Sequence, residues 1–110
     1  MVTTMTIAQL LDDPAQRAFL TRLAREYIWW KSPSEALAYP HRVVAQAMDL
    51  GTWDDVLALE EHLGPSLLRE VLVRAEAGWF HPRSWHFWHY RLGVVPPGEA
   101  VPPLPKRRIP

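Results

Sequence analysis

The chain contains no cysteine and no long uninterrupted run of apolar residues. The absence of cysteine excludes disulfides, thiolate zinc sites and cysteine nucleophiles. A membrane-spanning helix needs about 18 or more consecutive apolar residues, and no segment approaches that length. The first eleven residues also lack the basic start and the apolar run of a signal peptide. We therefore expect a soluble, cytoplasmic protein.

Net charge is also absent, because twelve basic residues balance twelve acidic ones. The balance conceals a division along the chain. Residues 1–48 carry five basic and four acidic groups, residues 49–78 two and seven, and residues 79–110 five and one. An acidic middle and a basic end indicate either separate electrostatic partners or an attraction that folds the end back onto the body.

Alternation of apolar and polar residues typical of strands is missing, whereas apolar residues recur at helical spacing. Prolines and glycines divide this pattern into segments. We expect helices over residues 13–30, 40–48, 52–63, 65–75 and 82–92, with a short turn at 34–37. A chain of 110 residues suits a single core. The sequence therefore predicts an all-α fold, a small orthogonal bundle of about five short helices spanning residues 1–93.

Residues 94–110 contain six prolines and end in a cluster of cations. Neither helix nor sheet continues through such a segment, so we expect an extended, proline-rich arm that adds little to the core. Extended proline segments lose little entropy on docking, and this one has the general form of a proline-groove ligand. An unbound, solvated tail is the alternative. The candidate partner-binding residues in the arm are Pro102, Leu104, Pro105, Lys106, Arg107 and Arg108.

Six tryptophans are unusual in a chain of this length. Tryptophan is enriched both in cores and at protein interfaces. Trp53, Trp85 and Trp88 fit helix faces, and we expect them in the interior. The adjacent pairs Trp29-Trp30 and Trp79-Phe80 lie at helix ends, where neighbouring aromatic rings cannot easily point the same way. The candidate partner-binding residues of the body are Trp30, Trp79, Phe80 and Arg83.

Groups that could carry catalysis or hold a metal are sparse. His86 and His89 share a helix face with the spacing of metal ligands, but no acidic residue lies between Ala77 and Gly98 to complete a site. The adjacent carboxylates, such as Asp54 and Asp55, suit helix starts rather than acid–base pairs. No phosphate loop or nucleophile elbow is present. We expect no enzymatic activity, no metal and no cofactor.

Two segments carry a resemblance to a known family. Residues 48–56 read MDLGTWDDV, residues 80–88 read FHPRSWHFW, and Leu92-Gly93 follows. Over about residues 40–93, the chain resembles small helical proteins encoded beside nucleotidyltransferase toxins of the abortive-infection AbiEii class. The resemblance implies an antitoxin or accessory role toward such a toxin. It does not cover the first forty residues or the arm. The sequence also shows no counterpart of the winged-helix DNA-binding part found in the larger antitoxins of such systems.

Two functions compete at this point. The first is an antitoxin-like module that binds and neutralises a nucleotidyltransferase toxin. The second is a nucleic-acid-binding regulator that contacts phosphates through Arg83, Arg91 and the basic tail. Zero net charge disfavours the second function.

Overall fold

All regular structure between residues 6 and 106, the part of the chain that the computed structural model describes, is helical. The all-α prediction is therefore confirmed. In chain order the helices are α1 (Ile7–Leu11), α2 (Pro14–Tyr27), α3 (Pro33–Ala36), α4 (Pro40–Leu50), α5 (Trp53–Leu63), α6 (Pro65–Arg74) and α7 (Pro82–Arg91).

The starts of these helices follow from the local sequence. Proline occupies the first turn of α2, α3, α4, α6 and α7, where its missing N–H would have no helical partner in any case. The other two helices begin with a capping box, formed by Thr6 with Gln9 and by Thr52 with Asp55. Gly64, with a φ of 81°, separates α5 from α6 in a conformation that residues with a side chain rarely adopt.

Helix α4 lies at the centre of the bundle and packs against each of the other six helices. Its sequence explains this position, because Val43, Val44, Ala45 and Ala47 are all completely buried. Small and β-branched side chains on most of its surface allow neighbouring helices to approach from several sides. Both ends of α4 therefore lie close to other helices, and the two candidate sites described below form at these ends.

Three details of the expected helix pattern differ from the structure. Helix α1 was not expected. The short turn expected at 34–37 is the single-turn helix α3, which begins at Pro33 because its N-cap Ser32 accepts a hydrogen bond from the Glu35 N–H. The helix expected over 13–30 ends at Tyr27, which leaves Trp29 and Trp30 in a turn with 76% and 53% of their surfaces exposed.

The described part of the arm, residues 94–106, has neither helix nor strand, as expected, but it packs against the body. Val95 is buried, and Val101 and Leu104 pack on the core. The Tyr90 hydroxyl donates to the Glu99 carbonyl at 2.6 Å, and the Trp85 indole N–H donates to the Pro102 carbonyl at 2.8 Å. The described part of the arm thus folds back along α7 and covers part of the core.

This packing predicts that deleting residues 99–110 lowers the free energy of unfolding. We expect a loss on the order of 1–3 kcal/mol, because the Trp85 N–H loses its acceptor and apolar surface is uncovered. Urea titration followed by circular dichroism measures the loss. Leu104→Ala should reproduce part of it, whereas Pro103→Ala, at an exposed position, should not. Unchanged stability after the deletion would show that the arm is a passive tail.

Candidate partner-binding surfaces

Asp49, at the end of α4, joins the two segments that carry the family resemblance. Its carboxylate accepts hydrogen bonds from the His81 N–H at 2.9 Å, from the His81 ring at 2.7 Å and from the Ser84 hydroxyl. Burial disfavours the charged form of Asp49, but the hydrogen bonds from His81 and Ser84 outweigh it and hold the pKa below its usual range. A carboxylate from α4 therefore caps α7, which has no side-chain cap of its own.

The second link between the two segments is Trp88. Its ring is completely buried, and its indole N–H donates to the Met48 carbonyl at 2.8 Å. Trp85 is also buried, with 4% of its surface exposed. Both tryptophans were expected in the interior, and this prediction is confirmed. Within the two segments that carry the resemblance, the residues Asp49 and Trp88 thus hold α4 and α7 together.

The grouping of Asp49, His81 and Ser84 does not form a catalytic triad. In a triad the serine hydroxyl hydrogen-bonds the imidazole, which accepts its proton. Here the Ser84 hydroxyl donates to the Asp49 carboxylate, with the His81 carbonyl oxygen 3.1 Å away, while the His81 Nδ1 atom faces the same carboxylate. No hydrogen bond joins the Ser84 hydroxyl to the His81 ring, so the arrangement differs from that of a triad.

Other side chains of the same segments lie on the outside. Trp53, the first residue of α5, is 56% exposed, so its expected place in the interior was wrong. Phe87 is 39% exposed, and the Arg91 guanidinium lies 4.8 Å from the Trp53 ring centre and 5.7 Å from that of Phe87. Exposed Arg83 lines the same depression as Trp53 and Phe87. These four residues are called the α5–α7 surface below.

Arg91 is fixed in its place between the two rings. Its Nε and Nη2 atoms donate to the two carboxylate oxygens of Glu60 at 2.8 and 2.7 Å. A planar guanidinium held by two parallel hydrogen bonds keeps one orientation. The α5–α7 surface is therefore ordered without a partner, with a cation between two exposed aromatic rings.

No family model, curated protein or solved structure matches this chain. The assignment of a site therefore depends on the geometry of the chain itself. Within residues 6–106, no group of three or more potential ligands is arranged to hold a metal ion. No helix in the same range is long and apolar enough to cross a membrane.

A second candidate region is a cleft of about 800 Å³ between the end of α2, the start of α4 and the α6–α7 connection. Trp30, Tyr39 and Trp79 line it, and we call it the aromatic cleft. Lys31 Nζ lies 6.0 Å from the centre of the Tyr39 ring, and the Arg42 guanidinium lies 5.7 Å from that of Trp79. Trp30 and Trp79, both predicted as partner-binding residues, line the same cleft.

Tyr39, His41 and Arg42 were missed as candidate residues of this cleft. A signal was available, because an aromatic residue, a proline and two basic residues follow one another at 39–42. That segment was interpreted only as a helix start. Its function as a cleft wall depends on Trp79, which lies 37 positions further along the chain, and local spacing does not reveal such a contact.

The remaining predicted site residues have different environments. Phe80 is buried at 7% exposure and packs against Trp85, with ring centres 5.5 Å apart, so it offers no surface to a partner. Pro102 and Lys106 are exposed, whereas Leu104 and Pro105 are partly covered. Arg107 and Arg108 lie outside the described residues.

Proposed function

We propose that this chain is a non-enzymatic, antitoxin-like module that binds a protein partner through the α5–α7 surface. The observation that carries the proposal is the division within the resembling segments. Asp49 and Trp88 connect helices, whereas Trp53, Arg83 and Phe87 lie exposed together. Large aromatic residues in water contribute little to the fold, and their grouping around cations is typical of binding surfaces.

The chemistry of the surface suits a high-affinity contact. Tryptophan and arginine are the residues most often found at the energetic centres of protein interfaces. Arg91 is already held by Glu60 at a distance of 2.7 Å, so little of its conformational freedom remains to be lost on binding. A partner that presents an apolar or acidic surface would cover both rings and approach Arg83.

The resemblance of residues 40–93 gives the partner its proposed identity, a nucleotidyltransferase toxin of the AbiEii class. Such an enzyme holds its catalytic metal with carboxylates, and an acidic partner surface suits Arg83 and the basic arm.

Nucleic-acid binding is the competing function, and one observation disfavours it on this surface. Arg91, proposed above as a phosphate contact, already forms a paired contact with Glu60. A phosphate would have to displace that carboxylate or approach close to it. We expect no nucleic-acid binding tighter than a weak background that salt abolishes.

Co-expression with the untagged product of the neighbouring gene tests the proposal. We expect the two proteins to co-purify, and Trp53→Ala to weaken the complex by about tenfold or more, as for the tryptophan of an interface centre. Trp29→Ala, which removes a tryptophan exposed to 76% and outside the α5–α7 surface, is the matched control and should bind normally. Titration of the purified partner by calorimetry provides the affinities.

Two results would contradict the proposal. One is an affinity for the partner that Trp53→Ala, Arg83→Ala and Phe87→Ala all leave unchanged. The other is submicromolar binding of nucleic acid at physiological salt that these substitutions abolish, which would assign the surface to the competing function.

A further inference from the structure

The aromatic cleft is separate from the α5–α7 surface, and no residue lines both. Its volume of about 800 Å³ lies within the range of about 300–1,000 Å³ found for small-molecule sites. Trp30 is 53% exposed and Tyr39 66% exposed, so both rings offer open faces. Trp79 is partly covered and forms the third aromatic wall.

The charged groups of the cleft are mainly cationic. The cleft is lined by three cationic residues, Lys31, Arg42 and Arg74. Among the lining residues that the structure describes, one is acidic, Glu76. A second carboxylate, that of Glu70, lies 3.2 Å from Arg74 and 3.8 Å from the His41 ring. Arg74 is thus partly neutralised, whereas Lys31 and Arg42 have no ion-pair partner within residues 6–106.

Two polar atoms of the cleft residues have unmet hydrogen-bonding capacity. His41 Nε2 and Arg42 Nη1 are buried and have no hydrogen-bond partner within the described part of the chain. Buried polar atoms in folded proteins nearly always have partners, and a buried guanidinium nitrogen without one is costly. The Arg42 guanidinium also lines the cleft, so a ligand with an acceptor oxygen would gain a charge-assisted hydrogen bond from it.

Burial also acts on the charges of these two residues. It lowers the pKa of His41, assisted by the nearby charge of Arg74, and it lowers the pKa of Arg42 despite the opposing effect of Asp49. Both shifts come mainly from burial, which disfavours the cationic forms, and an anion bound nearby would favour them.

We propose that the aromatic cleft binds a small planar aromatic ligand with a phosphate group, of the class of a mononucleotide. The ring stacks against Trp30, and the phosphate lies among Arg42, Arg74 and Lys31, two of which lie over the rings of Trp79 and Tyr39. Stacking on aromatic side chains and charge-assisted contacts to phosphate are the two interactions that these residue types provide. An inorganic anion would contact only the cationic residues of the cleft, and an uncharged ring only the aromatic ones.

Calorimetric titration with three probes tests this assignment. Adenosine 5′-monophosphate should bind saturably with a stoichiometry of one. Adenosine, which lacks the phosphate, and inorganic phosphate, which lacks the ring, should each bind at least tenfold more weakly. Equal affinities for the monophosphate and for inorganic phosphate, or no binding of the monophosphate up to millimolar concentrations, would overturn the proposal.

Substitutions at exposed positions assign the two halves of the ligand. Trp30→Ala should weaken the monophosphate and adenosine alike, whereas Arg74→Gln and Lys31→Gln should weaken only the monophosphate, each by about threefold to tenfold. Circular dichroism and urea titration verify that each variant folds. Trp53→Ala is the matched control, since its 56% exposure is close to the 53% of Trp30, and it should leave nucleotide binding unchanged.

The same pair of variants separates this inference from the proposed function. Trp53→Ala should affect the protein partner and not the nucleotide, and Trp30→Ala should do the reverse. If Trp30→Ala leaves nucleotide affinity unchanged, or if a glutamate-rich peptide displaces the monophosphate and binds more tightly, the cleft is not a mononucleotide site.

Discussion

Trp88→Ala is expected to lower the free energy of unfolding by about 3–5 kcal/mol, the range typical of removing a large aromatic side chain from a core. Trp88 is completely buried, and the Met48 carbonyl would also lose the indole donor that lies 2.8 Å away. Domains of this size have total stabilities of about 5–15 kcal/mol. At the lower end of that range, the loss would leave a measurable part of the population unfolded at room temperature.

Urea titration of wild type and variant, followed by circular dichroism, measures this loss. Trp53→Ala is the matched control and should change stability by less than about 1 kcal/mol, since its ring is largely exposed. Trp88→Phe separates packing from hydrogen bonding, because it keeps an aromatic ring but removes the donor to Met48. A loss below about 1 kcal/mol for Trp88→Ala would show that this tryptophan does not hold α4 and α7 together.

The helix starts could be predicted because their causes are local. Proline in a first turn restricts the backbone at its own position, and Pro40, Pro65 and Pro82 were interpreted correctly for that reason. Helix α1 was missed although Thr6 and Gln9 have the spacing of a capping box. That signal is also local and could have identified the helix.

The position of Trp53 could not be predicted from spacing. Helical side chains lean toward the N-terminus, so a residue in the first turn extends beyond the helix that carries it. What its ring meets there depends on other elements, and it meets Arg91 from α7, 38 residues away. Helical periodicity describes one face of one helix and contains no information about such a neighbour.

The path of the arm depends in the same way on distant residues. Its prolines excluded helix and sheet, which is a local effect. Its return along α7 gives acceptors to the exposed hydroxyl of Tyr90 and to the indole N–H of buried Trp85, and a buried indole N–H requires an acceptor. A composition-based prediction gives the conformation of the arm but not the surface against which it lies.

The acidic pair Asp54-Asp55 illustrates a role that was predicted in part. Both residues were expected to stabilise the start of a helix, and Asp55 does complete the capping box with Thr52. Asp55 is also buried, and it accepts hydrogen bonds from the Tyr27 hydroxyl and from the Arg22 guanidinium, the latter at 3.3 Å. These contacts tie α2 to α5, and they come from residues about 30 positions earlier.

Asp55→Ala is therefore expected to cost on the order of 2–3 kcal/mol, because loss of a cap costs about 1 kcal/mol and the partly buried Tyr27 hydroxyl loses a hydrogen bond to a charged group, about 1–2 kcal/mol. Asp54→Ala is the matched control, since Asp54 is exposed at the neighbouring position. It should cost less than about 1 kcal/mol through the helix dipole. Equal losses for the two variants in urea titrations would contradict a separate role of Asp55 between α2 and α5.

The same contact predicts how stability changes with pH. Burial and the hydrogen bond to Asp55 raise the pKa of Tyr27 from 10.0 to about 12. Because the folded-state pKa is raised, the stabilisation is complete below pH 10 and is lost as the pH rises toward 12. For Asp55, hydrogen bonds from Tyr27, Thr52 and Arg22 outweigh burial and lower the pKa. Its stabilisation is therefore present above the unfolded-state pKa and is lost as the pH falls through the folded-state value.

Unfolding free energies of wild type, Tyr27→Phe and Asp55→Asn, measured from pH 3 to pH 12, test both directions. The difference between wild type and Tyr27→Phe should shrink between pH 10 and 12, because only wild type carries the shifted hydroxyl. The difference between wild type and Asp55→Asn should shrink below about pH 4, near the ordinary aspartate pKa. Differences that stay constant across both ranges would show that the Tyr27–Asp55 contact does not form in solution.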